Sequence, residues 1–341
     1  MNLNRYKSIL EDVNRVALTT HENPDGDGLG CAAAMYHFYK DMKKDCKIIL
    51  PTSLPREYEF LEKGSMFQLY SSETTDTWLK DVDLIIVFDV GDSRRLKGIK
   101  KAVQMYNLTS LNIDHHPLLD DSVFTYNHVN TNAAATGEII FDILEQCFSI
   151  DFTKDICEGI FTAIMTDTGS FRYSNTNIHC HEIAIECYKA GVDTSYIYQQ
   201  VYENTTKSRV KLLGTVLHQI HYELDGELAW FIVDNSMMEQ CKADKADVEG
   251  FSNFVRGING VEVALMIMES GENKCKINFR SKGKYIVNEI ANALGGGGHA
   301  FASGAKIEES IEKAEEKDEE SSDIWGSSAY EAGLEEDDGE Y

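Results

Sequence analysis

The sequence lacks the features that would place the protein in a membrane or outside the cell. No apolar run approaches the roughly 20 residues that a transmembrane helix needs. The N-terminal residues, Met-Asn-Leu-Asn-Arg-Tyr-Lys, carry no apolar core of the kind found in signal peptides. The eight cysteines include no Cys-x-x-Cys pair, which argues against a disulfide framework and a zinc ribbon. We therefore expect a cytoplasmic protein with reduced thiols and no membrane partner.

Positive charge is also scarce. The chain has 32 Lys and Arg against 57 Asp and Glu, which gives a net charge of −25. Long duplex nucleic acid, which binds through basic surfaces, is therefore not an expected partner. Residues 308–341 hold 15 of the acidic residues and 2 lysines, with almost no apolar pattern. This composition predicts an acidic, disordered tail.

The length of 341 residues and a hydrophobic content of 43% suit a chain with two domains. In the first half, apolar strand-like runs at 16–20, 46–50, 84–88 and 110–113 alternate with helix-like segments at 28–42, 136–148, 153–165 and 181–190. Continuous apolar strands separated by helices are typical of a parallel sheet covered on both faces. The first half therefore predicts an α/β domain.

The second half predicts a smaller α/β domain with a mixed sheet. Strand candidates lie at 216–224, 228–233, 261–268 and 275–280, and helix candidates at 248–257 and 286–294. A helix-like stretch from 196 to about 213 precedes them. We expect a catalytic domain at 1–190, a helical connector at 191–215, a substrate-binding domain at 216–307 and the tail at 308–341.

Carboxylates and imidazoles follow apolar runs at four places in the first half. The clusters are His21, Asp25 and Asp27; Asp89 and Asp92; Asp114, His115 and His116; and Asp167. Open α/β sheets bind their ligands at the carboxyl ends of their strands, where three of these clusters fall. Oxygen and imidazole donors suit hard or borderline cations such as Mn²⁺ and Mg²⁺.

Each cluster also has a simpler interpretation. Asp25 could cap the helix that follows it, and Asp167 could be an ordinary helix-end carboxylate before Gly169. Asp92 with Arg94 and Arg95 could form a surface ion pair. Four such clusters in one domain are harder to explain as unrelated turns, so we predict a metal pair held against a phosphate in a phosphoesterase.

A glycine run, residues 295–298, precedes His299 in the second half. Glycine lets an anion approach backbone N–H groups closely, and His299 would add a donor. Arg280 and Ser281 end a predicted strand nearby, where Arg280 could clamp a phosphate. A flexible linker is the alternative, but apolar patterns flank the run on both sides.

Two further groups have structural interpretations. His179 and His181 resemble a metal tract, but we predict that they begin a helix. The tyrosines Tyr196, Tyr198 and Tyr202 are predicted to pack within a helix.

Taken together, these motifs resemble the DHH-family phosphoesterases over about residues 1–307. The motif His-x-Asn-Pro-Asp-x-Asp at 21–27, Asp89 at a strand end, Asp114-His115-His116 and Asp167 match the four family motifs in order. Gly-Gly-Gly-His, residues 296–299, resembles the DHH-associated C-terminal domain. The acidic tail has no counterpart in this resemblance.

The resemblance implies two Mn²⁺ ions per chain, with Mg²⁺ or Co²⁺ as substitutes. His21, Asp25 and Asp89 would hold one ion. Asp27, Asp89, His115 and Asp167 would hold the other, so that Asp89 bridges the two. Asp114 would support the ligands, and His116 would contact the phosphate. The implied catalytic residues are His116, Asp114 and Asp89, and the implied substrate-binding residues are His116, Arg280, Ser281, Gly296, Gly297, Gly298 and His299.

Chain length indicates a group within the family. The chain lacks the additional nucleic-acid-binding domain of RecJ-type exonucleases and the membrane regions of cyclic-dinucleotide phosphodiesterases. It resembles the compact NrnA-type group, which cleaves very short oligoribonucleotides to mononucleotides and removes the 3′ phosphate of 3′-phosphoadenosine 5′-phosphate. The expected partners are therefore short oligonucleotides and nucleotides. A soluble phosphodiesterase for cyclic or linear dinucleotides, a non-catalytic nucleotide sensor and a homodimeric assembly are left open.

Overall fold

The computed structural model of the protein describes residues 3–117 and 123–308. The chain divides into two compact units, Met1–Asn204 and Thr205–Tyr341. Most of the predicted acidic tail lies outside the described residues. Within the described ranges, none of the helices combines the length and the apolar character needed to cross a membrane. All eight cysteines are buried thiols, as expected.

The first unit contains a six-stranded sheet in which every strand pair is parallel. Its strands are β1 (Arg15–Thr19), β2 (Asp45–Leu50), β3 (Phe67–Leu69), β4 (Leu84–Phe88), β5 (Ser110–Asp114) and β6 (Tyr126–Val129). Their spatial order is β3-β2-β1-β4-β5-β6. The order reverses between β1 and β4, and this position is where doubly wound sheets bind ligands.

Eight α-helices belong to this unit in its described part. They are α1 (Leu3–Glu11), α2 (Gly26–Asp41), α3 (Asp76–Leu79), α4 (Gly98–Met105), α5 (Thr136–Ile143), α6 (Lys154–Asp167), α7 (Ile178–Lys189) and α8 (Thr194–Tyr202). Two buried apolar clusters include alternate residues of β1, β2 and β4, so both faces of the sheet are covered. Helices α2 and α6 approach closely because Gly30 and Gly159 bring backbone against backbone. This contact joins two helices whose ends carry site residues.

The second unit has a mixed six-stranded sheet. Its strands are β7 (His221–Glu223), β8 (Leu228–Val233), β9 (Val263–Gly271), β10 (Lys274–Ser281), β11 (Gly297–His299) and β12 (Ala302–Ile307), and its helices are α9 (Lys207–Leu217), α10 (Asn235–Cys241), α11 (Phe251–Arg256) and α12 (Asn288–Ala293). The order is β11-β12-β10-β9-β8-β7, with β8 and β9 parallel and the other pairs antiparallel.

The predicted fold class is therefore confirmed, but two element predictions are wrong. The helix-like stretch from 196 to about 213 is two helices, because Thr206 caps a new helix by accepting from the Arg209 N–H. The division between the units falls between these helices. The predicted strand at 216–224 is the end of α9 followed by the short β7, since Leu212 and Val216 form the buried stripe of α9.

Candidate metal centre

His21 follows β1 and is buried between two carboxylates. Its Nε2 lies 3.5 Å from Asp25 Oδ2 and 3.6 Å from Asp89 Oδ2. Its Nδ1 lies 2.7 Å from the Glu22 carbonyl oxygen, which can accept the Nδ1 proton and orient the ring so that Nε2 faces the carboxylates. Burial lowers the pKa of His21, but the carboxylates of Asp25 and Asp89 more than offset it and raise the pKa to about 9. The pocket thus favours a cation.

Asp25 caps helix α2, as the simpler interpretation predicted. One side-chain oxygen accepts from the Asp27 and Gly28 N–H groups at 3.2 and 3.3 Å. The other oxygen is the one that faces His21. Capping and metal binding therefore use different oxygens, so the two interpretations of this residue are compatible.

Asp27 is buried in the first turn of α2 and faces the N-terminus of α5. Its two oxygens accept from the Thr136 N–H at 2.6 Å and the Gly137 N–H at 2.9 Å. These bonds hold the carboxylate in place, as the N-terminus of a helix favours negative charge. Burial and the nearby charges of Asp89 and Asp167 nevertheless raise the pKa of Asp27 well above its usual range. The site therefore holds an excess of negative charge.

Asp89 follows β4 and lies at the centre of the cluster. Its backbone adopts φ +55°, a left-handed conformation that non-glycine residues rarely adopt. Its Oδ2 faces His21, while its Oδ1 lies 3.5 Å from His115 Nε2 and 3.1 Å from His116 Nδ1. The two oxygens thus point toward different histidines, which is the arrangement that a bridging ligand needs.

Asp114 is fully buried and accepts four hydrogen bonds. Its Oδ2 accepts from the Val90 and Gly91 N–H groups at 2.9 and 2.6 Å, which fixes the loop after β4. Its Oδ1 accepts from the His116 N–H at 2.8 Å and from His116 Nδ1 at 3.0 Å. The carboxylates of Asp114 and Asp89 raise the pKa of His116 to about 10. These carboxylates therefore favour the protonated form of His116, whose side chain is 48% exposed.

His115 and Asp167 complete the cluster. His115 Nε2 lies 3.3 Å from Asp167 Oδ2 and 3.7 Å from Asp27 Oδ2. This nitrogen is buried and makes no hydrogen bond to any described residue. Burial raises the pKa of Asp167, and the balance with the surrounding charges brings it to about 6.

These donors fit divalent cations. Three sets have ligand atoms within 4.8 Å of one another: His21 with Asp25 and Asp89, Asp27 with His115 and Asp167, and Asp89 with His115 and His116. A buried imidazole nitrogen without a hydrogen-bond partner and crowded carboxylates with raised pKa values are both relieved by a cation. Oxygen and imidazole donors without thiolates favour Mn²⁺ or Mg²⁺ over thiophilic metals.

The remaining predicted site residues lie in the second unit. Arg280 is half-buried on β10 and donates to the Phe279 carbonyl oxygen at 2.9 Å. Ser281 is buried at the end of β10, and its Oγ accepts from the Gly283 N–H at 3.1 Å. Arg256 also reaches this strand end, donating to the Ser281 carbonyl oxygen at 3.2 Å. The guanidinium groups of Arg256 and Arg280 therefore both donate to backbone carbonyl oxygens at the end of β10.

The glycine run is not a bare loop. Gly297, Gly298 and the His299 backbone form β11, and the Gly296 N–H is donated to the Ala291 carbonyl oxygen at 2.7 Å. At Gly296 and Gly298 a Cβ would overlap the backbone of β12. These two glycines are therefore needed for close strand packing, a role that the prediction of anion binding did not include.

Sequence reasoning missed three contacts at the metal centre. Thr136 and Gly137 hold Asp27 from more than 100 residues away, and no local pattern marks them. Arg95 was predicted in a surface pair with Asp92, but its Nη2 lies 2.7 Å from His21 Nδ1. Asp92 instead forms an ion pair with Arg94, at 2.7 Å.

Two family models match the chain. The family model "DHH family, N-terminal domain" matches residues 15–166, and the model "DHHA1 domain" matches residues 193–323. Asp167 immediately follows the first match, and Arg280 and the glycine run lie inside the second.

Curated relatives match most of the chain. The "bifunctional oligoribonuclease and PAP phosphatase NrnA" of Thermus thermophilus is 27% identical over 293 residues, covering 86% of this chain and 84% of the relative. The Bacillus subtilis protein of that name is 26% identical over 298 residues, covering 86% and 89%.

Solved structures share the fold. An exopolyphosphatase-related protein from Bacteroides fragilis superposes with a TM-score of 0.85 at 27% identity, covering 95% of this chain and 96% of that one. Exonuclease RecJ bound to manganese shows the same fold, with a TM-score of 0.54 at 12% identity and 90% of each chain covered.

The fold and the site together define a metal-dependent phosphoesterase. The chain carries a DHH domain followed by a DHHA1 domain, and it is a hydrolase.

Proposed function

We propose that the protein is a Mn²⁺-dependent phosphoesterase that hydrolyses very short oligoribonucleotides to mononucleotides and 3′-phosphoadenosine 5′-phosphate to AMP. The observation that carries this proposal is the convergence of His21, Asp25, Asp27, Asp89, His115 and Asp167 at the point where the strand order reverses. The names of the curated relatives support the substrate class. A cytoplasmic location and a homodimer remain predictions.

Two ions would be held by ligand sets that share Asp89. His21, Asp25 and Asp89 would bind one, and Asp27, Asp89, His115 and Asp167 the other. When bound, such ions polarise phosphoryl oxygens and lower the pKa of an attacking water. Mn²⁺ is the proposed cofactor, with Mg²⁺ or Co²⁺ as substitutes.

His116 is the proposed catalytic contact with the phosphate. Its Nδ1 is hydrogen-bonded to buried carboxylates, so the exposed part of the ring is available to donate to a phosphoryl oxygen. The hydrogen bond from Nδ1 to the buried Asp114 carboxylate favours the protonated ring, and a charged donor stabilises the negative charge that develops on the phosphate. Asp114 orients this ring and thereby acts through His116.

In the second unit, Arg280, Ser281, Gly296, Gly297, Gly298 and His299 are the proposed contacts for a terminal substrate phosphate. The guanidinium of Arg280 is half-buried, which strengthens its attraction for an anion relative to that of a fully solvated side chain. Arg280→Ala is expected to raise KM more than it lowers kcat.

The test is AMP release from the dinucleotide pApA by purified protein with Mn²⁺, against a metal-stripped sample. The wild type should release AMP from pApA and from 3′-phosphoadenosine 5′-phosphate when metal is present. Asp89→Ala should abolish both activities, because it removes the shared ligand. Asp83→Ala is the matched control, since Asp83 precedes the same strand at its opposite end.

Three outcomes would contradict the proposal. Near-normal turnover by Asp89→Ala would exclude the shared-ligand arrangement. Preferential hydrolysis of cyclic di-AMP would favour the dinucleotide phosphodiesterase. Tight binding of pApA with bound Mn²⁺ but no AMP release would favour a nucleotide sensor.

A further inference from the structure

The turn after helix α6 has an unusual backbone. Gly169, Ser170 and Phe171 are three consecutive residues in the left-handed region, with φ values of +55°, +61° and +62°. Non-glycine residues rarely adopt this conformation, and it is enriched at functional sites. Buried Thr168 holds the turn: its Oγ1 accepts from the Phe171 N–H at 3.0 Å and its carbonyl oxygen from the Tyr173 N–H at 3.0 Å. These hydrogen bonds therefore hold the turn in one conformation, and the turn directly follows Asp167.

This turn presents the ring of Tyr173. A Cβ placed on Gly169 would overlap the Cζ, Cε1 and Cε2 atoms of Tyr173 together, so one face of the ring lies against the glycine backbone. Tyr173 is nevertheless 59% exposed, which leaves the opposite face open. Arg172 is also exposed, and its Nε donates to the Gly169 carbonyl oxygen at 2.7 Å. Within the described chain, Arg172 makes no ion pair with a carboxylate.

Two tyrosines of α8 extend this surface. The rings of Tyr198 and Tyr202 lie 5.0 Å apart, and these residues are 36% and 39% exposed. Burial raises the pKa of Tyr202, and the neighbouring Tyr173 and Tyr198 raise it further. Tyr196, Tyr198 and Tyr202 lie in helix α8, as predicted, but they are partly exposed. Ile197 is the residue of the helix that is buried.

We propose that Tyr173, Tyr198 and Tyr202, here named the aromatic ledge, stack the nucleobase next to the phosphodiester held at the metal centre. This inference rests on the proposed function. Aromatic side chains stack any base through its π face, which suits an enzyme that accepts different short sequences. Arg172 would supply positive charge beside the ledge for the substrate's phosphates. The ledge lies within the first unit, next to the last metal ligand in the sequence.

The test compares pApA with an abasic analogue that keeps the sugars and phosphates. Tyr173→Ala should reduce the preference in kcat/KM for pApA over the analogue by at least about tenfold, mainly through KM. Tyr173→Phe should retain the preference, because stacking does not need the hydroxyl. Tyr196→Ala is the control: Tyr196 belongs to the same helix and is 47% exposed, but its ring contacts Phe60 at 6.1 Å.

A second measurement does not require turnover. A 2-aminopurine dinucleotide with a non-hydrolysable linkage should lose fluorescence on binding to the wild type and Tyr173→Phe, because stacking quenches it. With Tyr173→Ala at saturating protein, the quenching should be largely lost. Tyr202→Ala should show a smaller loss.

The two proposals fail differently. Wild-type hydrolysis of pApA with an unchanged preference and unchanged quenching in Tyr173→Ala would overturn the ledge alone. Equal losses on pApA and the abasic analogue would also overturn it, since that result indicates a structural role. Quenching by the wild type without pApA hydrolysis would overturn the proposed function and support the ledge as a binding surface.

Discussion

Asp114 determines the position of His116 more than any other described side chain, because it bonds both the backbone and the ring of that residue. Asp114→Asn replaces one acceptor oxygen with an NH₂ group, which would face donors. We expect kcat to fall by about 10- to 100-fold and the free energy of unfolding by about 1–3 kcal/mol, the cost of an unsatisfied buried polar group. Steady-state kinetics with Mn²⁺ and thermal unfolding would measure these effects.

Asp83→Asn is the control for this prediction. Asp83 also accepts two backbone N–H groups, from Asn14 and Arg15 at 2.7 and 2.9 Å, but it lies at the amino end of β4 and is exposed. The kcat of the Asp83→Asn variant should stay at the wild-type value. If Asp114→Asn matched Asp83→Asn in kcat, the role of Asp114 in positioning His116 would be refuted.

Individual ligands could be predicted from the sequence because a carboxylate after a buried strand is costly without a partner. That argument identified Asp89. It could not identify the two N–H groups that hold Asp27, since residues 109 and 110 positions away are brought to it by the fold. The predicted surface pair of Arg95 with Asp92 was wrong, because the long side chain of Arg95 reaches the buried ring of His21 from a surface turn.

The crossing of α2 and α6 links stability to the metal centre. A Cβ on Gly159 would overlap the Gly30 carbonyl oxygen, and backbone atoms can make room only if a helix moves. Asp25 caps α2 at its start, and Asp167 ends α6. Gly159→Ala is therefore expected to lower the free energy of unfolding by about 1–3 kcal/mol and to weaken Mn²⁺ binding. Thermal unfolding and metal titration calorimetry would test both effects.

Gly214→Ala provides the matched helix substitution. A Cβ at Gly214 in α9 would have no atom of the described chain within 4 Å, so alanine should stabilise the helix by up to about 1 kcal/mol. Loss of stability in Gly159→Ala with unchanged Mn²⁺ affinity would mean that the helix crossing does not set the distance between ligands.

Elements with a strong apolar pattern were predicted well, and those without one were not. Leu84–Phe88 and Leu228–Val233 were predicted with the bounds that the structure shows. The strands β11 and β12 were missed because their residues are mostly glycine, alanine and serine. These residues allow the backbones to pack closely but give no pattern of large apolar side chains. The break before α9 was missed because Thr206 acts as a cap, and a helix-like pattern continues through it.

The distribution of charge over the whole molecule predicts how metal should affect stability. All six proposed ligands come from Met1–Asn204, where buried carboxylates repel one another in the absence of a cation. A ligand at one hundred times its Kd stabilises the native state by about 2.7 kcal/mol per site. For a unit of about 200 residues this corresponds to a rise in Tm of roughly 5–10 °C for each occupied site.

The rise in Tm should be confined to the first unit. Hydrogen exchange with and without Mn²⁺ should show added protection after β1, β4 and β5 and at the end of α6, and no change in the described part of the second unit. Asp89→Ala should lose this response, whereas added KCl at equal ionic strength should not reproduce it, because screening acts on exposed charges more than on a buried cluster. Equal protection in both units would indicate that Mn²⁺ binds the acidic chain non-specifically.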